Sequence, residues 1–201
     1  MVKIETLVIA THNAGKLQEI QDCLAPLQLQ VVSQAWLNIA QAEEPHCTFV
    51  ENALAKARHA SFHSGLPALA DDSGLCVDAL NGAPGVYSAR YASEDAQQPT
   101  SDAANNAKLL NALAHETHRD AYYYCVMVFV KHAQDPQPII AEGIWRGKIL
   151  LTPRGNGGFG YDPLFLDVSH NQSAAELTKT VKNTISHRGQ ALQQLLQKLN
   201  M

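Results

Sequence analysis

Segments with helical and extended patterning alternate through the first half of this 201-residue chain, and two long strand candidates follow in the second half. Residues 6–10 form a short β-branched and apolar run, and Leu17, Ile20, Cys23, Leu24 and Leu27 recur beyond it at helical spacing. The stretch between them is the loop of a strand-loop-helix unit. Residues 29–32 read as a second strand. Thr48-Phe49-Val50-Glu51 has the S/T-x-x-E pattern of a capping box, in which the Thr48 hydroxyl and Glu51 carboxylate satisfy backbone N–H groups at a helix start. The Ala-rich helix that follows runs to about Ser64, where Gly65 and Pro67 are stop signals.

Residues 68–70 and 75–80 look like strand pieces separated by Asp71-Asp72-Ser73-Gly74, a composition suited to a turn. Residues 81–85 are a loop, and Ser101 or Asp102 caps a helix carrying Ala107, Leu110, Leu113 and Ala114. The long strand candidates, 121–131 and 139–151, are joined by a loop containing Asp135-Pro136 and predict an antiparallel hairpin. Leu192, Leu195, Leu196 and Leu199 give the closing helix an apolar stripe. Together these elements predict an α/β fold on a mixed sheet, with residues 1–201 as a single domain.

A chain of this length buries about 70% of the surface its unfolded form exposes, so a stable core needs no covalent or metal staple. Cys23, Cys47, Cys76 and Cys125 form no C-x-x-C pair and read as reduced core thiols. The nine histidines lack the spacing of a zinc site. Fifteen Lys and Arg face nineteen Asp and Glu, with no two basic residues adjacent, which excludes a phosphate-tracking nucleic-acid surface. The longest apolar run, residues 121–130, is far shorter than the ~20 residues of a membrane helix. The first residues lack the apolar core of a signal peptide, so a cytoplasmic protein is expected.

Four segments carry chemistry. Thr11-His12-Asn13-Ala14-Gly15-Lys16 places a glycine, a lysine and hydrogen-bonding side chains at a helix N-terminus, where free N–H groups and the helix dipole favour anions. It is not a Walker A loop, which would need Gly at Ala10 and Ser or Thr at Leu17. Asp71-Asp72-Ser73-Gly74 and the upstream Glu43-Glu44 can converge on Mg2+, which takes hard oxygen ligands and usually needs only one or two carboxylates. Gly155-Asn156-Gly157-Gly158-Phe159-Gly160 matches G-x-G-x-x-G, but Pro163 follows too closely for a Rossmann helix. These glycines suit close approach of a flat ligand, with Phe159 available for base stacking. Ser186-His187-Arg188-Gly189 opens the final helix shortly after Lys182, and their donors suit an acceptor-rich ligand edge.

In this order, residues 11–16, 48–53, 70–75, 82–90, 158–163 and 186–189 strongly resemble the inosine/xanthosine triphosphate pyrophosphatase family. The resemblance spans nearly the whole chain. It implies a homodimer of two-lobed α/β subunits on a long, twisted mixed sheet with flanking helices, and an active site in the interlobe cleft. It also implies Mg2+-dependent hydrolysis of ITP, dITP and XTP to the monophosphate and pyrophosphate.

Carried over by position, Thr11, His12, Asn13, Ala14, Gly15 and Lys16 hold phosphates. Glu43 and Asp72 hold the metal, Asp72 is the catalytic base, and Ser73 touches substrate. Phe159, Gly160, Tyr161 and Asp162 wall the base, while Lys182, His187 and Arg188 face it. A glycine common before the Thr-Phe of the capping box is replaced here by Pro45-His46-Cys47, which leaves Glu43 and Glu44 as alternative ligands. A pyrophosphatase acting on pyrimidine or other modified nucleotides, and a non-catalytic nucleotide-binding or RNA-binding module, are the competing readings.

Overall fold

A computed structural model describes residues 5–25, 29–94 and 100–199. The elements run β1 (Thr6–Ile9), α1 (Ala14–Leu24), β2 (Gln30–Ser33), α2 (Phe49–Ser64), β3 (Ala68–Val77), α3 (Asp102–Ala112), β4 (Asp120–Val130), β5 (Ile139–Ile149), β6 (Phe165–Asp167), β7 (Gln172–Ser173), α4 (Lys179–Ile185) and α5 (His187–Leu199). The strands form one seven-stranded sheet of order β2-β1-β3-β4-β5-β6-β7. Strand β1 pairs in parallel with β2 and β3, whereas β6 is antiparallel to both β5 and β7, so the sheet is mixed. The parallel part follows from the helical crossovers α1 and α2.

The chain divides into two compact units. One comprises Met1–Asp72, Cys125–Gly143 and Arg188–Met201, and the other Ser73–Tyr124 and Ile144–His187. The first has a core of Leu7, Ile9, Ile20, Leu24, Leu69, Met127, Phe129, Leu192 and Leu195. Its α5 face is the leucine stripe, with Leu196 and Leu199 packed at the margin. The second buries Leu75, Val77, Leu109, Leu113, Tyr123, Trp145, Leu164 and Phe165.

Local chemistry explains most of the element boundaries. Asn13 caps α1 by accepting from Lys16 N at 3.0 Å. Thr48 caps α2, accepting from Glu51 N, but the Glu51 carboxylate takes the Thr48 hydroxyl in place of its backbone N–H. Gly65 ends α2 with φ of 69°, a left-handed conformation that glycine adopts without a Cβ clash. Ser101, not Asp102, caps α3.

Three expectations need correction. Residues 71–74 are not a turn: β3 runs unbroken through them, because cations neutralise Asp71 and Asp72 and a close approach by Ser88 requires Gly74. A Cβ on Gly74 would sit 2.6 Å from Ser88 Oγ. Residues 78–80 leave the strand as a 3-10 turn, and the short elements β6, β7 and α4 carried no periodic signal. Finally, all four cysteines are free, but Cys47 is exposed and Cys23 only half-buried, leaving Cys76 and Cys125 as the core thiols.

Candidate active site

The sequence-derived site residues fall into two arrays, one in each unit. In the first, β1 delivers the chain into residues 11–13, and the Thr11 hydroxyl accepts from Asn13 N at 3.1 Å. Because Asn13 is the cap, Ala14 and Gly15 open α1 with N–H groups that have no intrahelical acceptor, and such groups make an anion site. His12 Nδ1 lies 3.3 Å from Gln34 Nε2. Lys16 projects from the first turn to Asp71, Nζ to Oδ2 3.1 Å, and keeps 17% of its side-chain surface exposed.

Asp71 and Asp72 are successive strand residues, so their side chains leave β3 on opposite faces and meet different partners. Asp71 also receives Arg188 Nη2 at 3.2 Å, and Arg188 Nη1 is bonded to Glu19 of α1. Burial pushes Asp71 upward more than any other single influence. The charges of Lys16, Arg188 and Lys56 together outweigh it and hold the carboxyl well below the ordinary range. Arg188 therefore stays charged although almost wholly buried, held by Asp71 and Glu19 against the cost of desolvation.

Asp72 accepts from Lys56 Nζ at 2.8 Å and from Asn52 Nδ2 at 3.4 Å. Asn52 and Lys56 stand four residues apart on α2 and so share a face. The Asn52 amide also brackets the His46 peptide, donating to its carbonyl and accepting from its N–H, both at 3.1 Å. That clip ties the acidic loop to α2. Lys56 Nζ then reaches Glu44 Oε1 at 3.0 Å, so one ammonium faces carboxylates from two separate segments. Glu43, the carried-over metal partner, is exposed.

Burial raises Asp72 above the usual carboxylate range despite Lys56 and Lys16, while Lys56 remains protonated because Asp72 and Glu44 face it. No group of three or more His, Cys, Asp or Glu residues able to hold a metal assembles among the described residues. Two carboxylates are nevertheless a sufficient protein contribution for Mg2+, whose remaining ligands are ordinarily water and substrate phosphate. The donor set at Asp72 and Glu44 fits that ion.

The second array centres on Asp162. Its Oδ2 receives Lys182 Nζ at 2.7 Å and Phe159 N at 2.9 Å, and its Oδ1 receives the Tyr123 hydroxyl at 3.3 Å. Gly158 has φ of 73°, and a side chain there would collide with the Asp162 carboxylate. Lys182 Nζ lies 5.1 Å from the Phe159 ring centroid, while His187 stacks on Tyr123 at 4.6 Å and 10°. The Tyr161 ring is buried, and its hydroxyl donates to Ser88 O at 2.9 Å. Ser73, the residue after Asp72 in β3, is half-buried.

Residues 7–198 match the Ham1 family model. The chain belongs to the Ham1 family. Among relatives of this Ham1 chain, a dITP/XTP pyrophosphatase of Ralstonia nicotianae is 61% identical over 97% of the chain and 96% of the relative. One of Nitrosomonas europaea is 59% identical over 96% and 94%. A Coxiella burnetii HAM1 protein structure superposes with a TM-score of 0.88 at 47% identity, covering 97% of this chain and 98% of the other. The Staphylococcus aureus Ham1 structure gives 0.83 at 37% identity over 97% and 98%.

For this Ham1 chain the structure adds Asn52, Lys56 and Glu44 around Asp72, and Glu19 beside Arg188. The four-residue spacing of Asn52 and Lys56 behind the capping box was the available signal for the first pair. Arg188, carried over to the nucleobase, spends its guanidinium on Glu19 and Asp71, while its chain neighbour His187 joins the aromatic stack of the other unit.

Proposed function

We propose that this Ham1-family chain hydrolyses deaminated purine nucleoside triphosphates, ITP, dITP and XTP, to the nucleoside monophosphate and pyrophosphate. The whole of residues 1–201 serves that reaction as one functional domain. The observation that carries the proposal is the buried Asp72 carboxylate, gripped by Lys56 and Asn52 in the same unit as the anion-binding start of α1. The names of relatives 59–61% identical over nearly the full chain support the substrate class.

The backbone N–H groups at Ala14 and Gly15, with Thr11, His12, Asn13 and Lys16, bind the triphosphate tail. Asp72 and Glu44 would hold Mg2+, which when bound neutralises charge on the phosphates and on the departing pyrophosphate. Asp72 orients a water molecule and accepts its proton as the water oxygen bonds to the α-phosphorus. The bond from that phosphorus to the bridging oxygen breaks, and its electron pair leaves with pyrophosphate. Lys56 keeps two acidic side chains together that would otherwise repel each other.

Ser73 contacts the substrate beside Asp72. Phe159, Gly160, Tyr161 and Asp162 form the base-binding segment, and Lys182 and His187 flank it. Hypoxanthine and xanthine present an O6 acceptor where adenine presents an amino donor. A pocket rich in fixed donors therefore disfavours ATP by leaving those donors unpaired.

The test is pyrophosphate release from a panel of nucleoside triphosphates. Turnover of dITP and XTP is expected with Mg2+, none with EDTA, and recovery when Mg2+ is added back. Full activity in EDTA removes the metal from the reaction, and turnover of pyrimidine nucleotides alone removes the purine assignment.

We also propose a cytoplasmic homodimer. Trp36 and Phe62 of the first unit are 74% and 73% exposed, and large exposed apolar side chains favour association. Sedimentation is expected to give twice the 21.9 kDa chain mass, and a single-chain mass at micromolar concentration overturns the dimer. Among the described residues no helix is long and apolar enough to cross a membrane.

A further inference from the structure

The base-binding segment is closed on itself by Phe159 and Asp162, but Gly160 between them takes no part in those bonds. Gly155, Gly158 and Gly160 all have positive φ, at 76°, 73° and 62°, and glycines confer the largest backbone freedom on a loop. Its position comes from bonds within the segment and from anchors outside it. Asp162 fixes the N–H of Phe159, and the carbonyl of Ala175 accepts from Gly157 N at 3.1 Å. The peptide groups of Gly160 are held by a different element. Asp102 Oδ2 accepts from Gly160 N at 2.6 Å, and Asn106 Nδ2 donates to Gly160 O at 3.0 Å.

Asp102 and Asn106 lie four residues apart on α3 and so present one face. Together they take both polar groups of a single residue. The Asn106 amide is oriented by that bond, since turning it over would set its oxygen against the Gly160 carbonyl. In this orientation Asn106 Oδ1 is buried and has no partner among the described residues. An unpaired buried oxygen opposes folding, so that half of the amide does not account for an asparagine at position 106. What the asparagine provides is the grip on Gly160.

We propose that Asp102 and Asn106 are positioning residues for base selection, a two-point clamp that sets the Gly160 peptide and thereby the Phe159 ring against which the purine stacks. The proposal rests on the assignment of residues 159–162 as the base-binding segment. Neither residue touches substrate. Their effect passes through Gly160, so it should appear in the affinity for the base and in discrimination between bases.

The experiment compares Asn106→Leu, Asp102→Ala, Asp102→Asn and Phe159→Ala, measuring kcat and KM for dITP and dATP together with Tm. Asn106→Leu is expected to raise KM for dITP about three- to tenfold, the loss of one neutral hydrogen bond, and Asp102→Ala by at least about tenfold, since its carboxylate makes the stronger, charge-assisted bond. The dITP-to-dATP ratio of kcat/KM should fall by a similar factor, with kcat less affected. Asp102→Asn keeps an acceptor oxygen and should recover most of the loss. Asn106→Leu loses the bond to Gly160 O together with the unpaired oxygen, two opposed changes, so its Tm should shift little while KM rises.

A lowered Tm with unchanged KM and unchanged dITP-to-dATP ratio in both variants would show a purely structural role and overturn the clamp. If Phe159→Ala lowers the ratio in that case, the base-binding segment stands and only the clamp falls. If Phe159→Ala also leaves the ratio unchanged, the base assignment falls and the clamp goes with it.

Discussion

Asp72→Asn is expected to lower kcat for dITP by about 10²- to 10⁴-fold, the range for losing a positioned general base. The amide has the shape of the carboxylate and can still accept from Asn52, so the strand and the acidic loop keep their places. Lys56 retains Glu44 as a counterion. What disappears is the negative charge that would help hold Mg2+, orients water and receives its proton. Binding of dITP, followed by calorimetry, should survive, because the α1 N-terminus and Lys16 are untouched.

The wild-type pH profile supplies a linked check. Burial raises the Asp72 pKa, and the base acts only when ionised, so activity should fade as pH drops through that raised value. A Mg2+ ion held at Asp72 opposes that rise, so the acid limb of kcat/KM should move to lower pH as the Mg2+ concentration increases. Near-normal kcat in Asp72→Asn would remove Asp72 from the proton transfer.

The readable parts of the fold were those where one local interaction decides the backbone. Thr48 at the head of an Ala-rich stretch and Gly65 at its end leave few alternatives to α2. The apolar runs of β4 and β5 are long enough that their existence does not depend on neighbours. Residues 71–74 failed the same reading because their turn-like composition is overridden by partners remote in sequence: Lys16, Lys56 and Arg188 for the two aspartates.

Strands β6 and β7, of three and two residues, are too short to carry a period, and their pairing follows from a ladder begun by β5. At the site, motif residues were visible as a set, but their pairings were not. Nothing local separates Glu43 from Glu44. Only the reach of Lys56 from α2 shows which carboxylate lies beside Asp72. Arg188 likewise looked like a donor for a ligand edge until Glu19 and Asp71 were seen to occupy it.

That occupation changes what Arg188→Met should do. Removing the cation at the centre of a buried ion network weakens the compensation of its partners, a loss of up to about 3–5 kcal/mol. Lys16 would remain on Asp71, but Glu19 would lose the guanidinium bonded to it. In a domain of this size the loss corresponds to a fall in Tm of up to about 6–20 °C.

Because the guanidinium is bonded to Asp71 and Glu19, the dITP-to-dATP ratio of the surviving folded enzyme is expected to stay close to that of the wild type. A normal Tm with collapsed selectivity would return Arg188 to the nucleobase. The wild type should also show the network in acid. Asp71 has a depressed folded pKa, so its contribution is complete above the unfolded value of about 4 and is lost as pH falls below it. Asp71→Asn, which cannot titrate, should flatten that acid loss while lowering stability at neutral pH, and an unchanged acid slope would show that the network does not govern it.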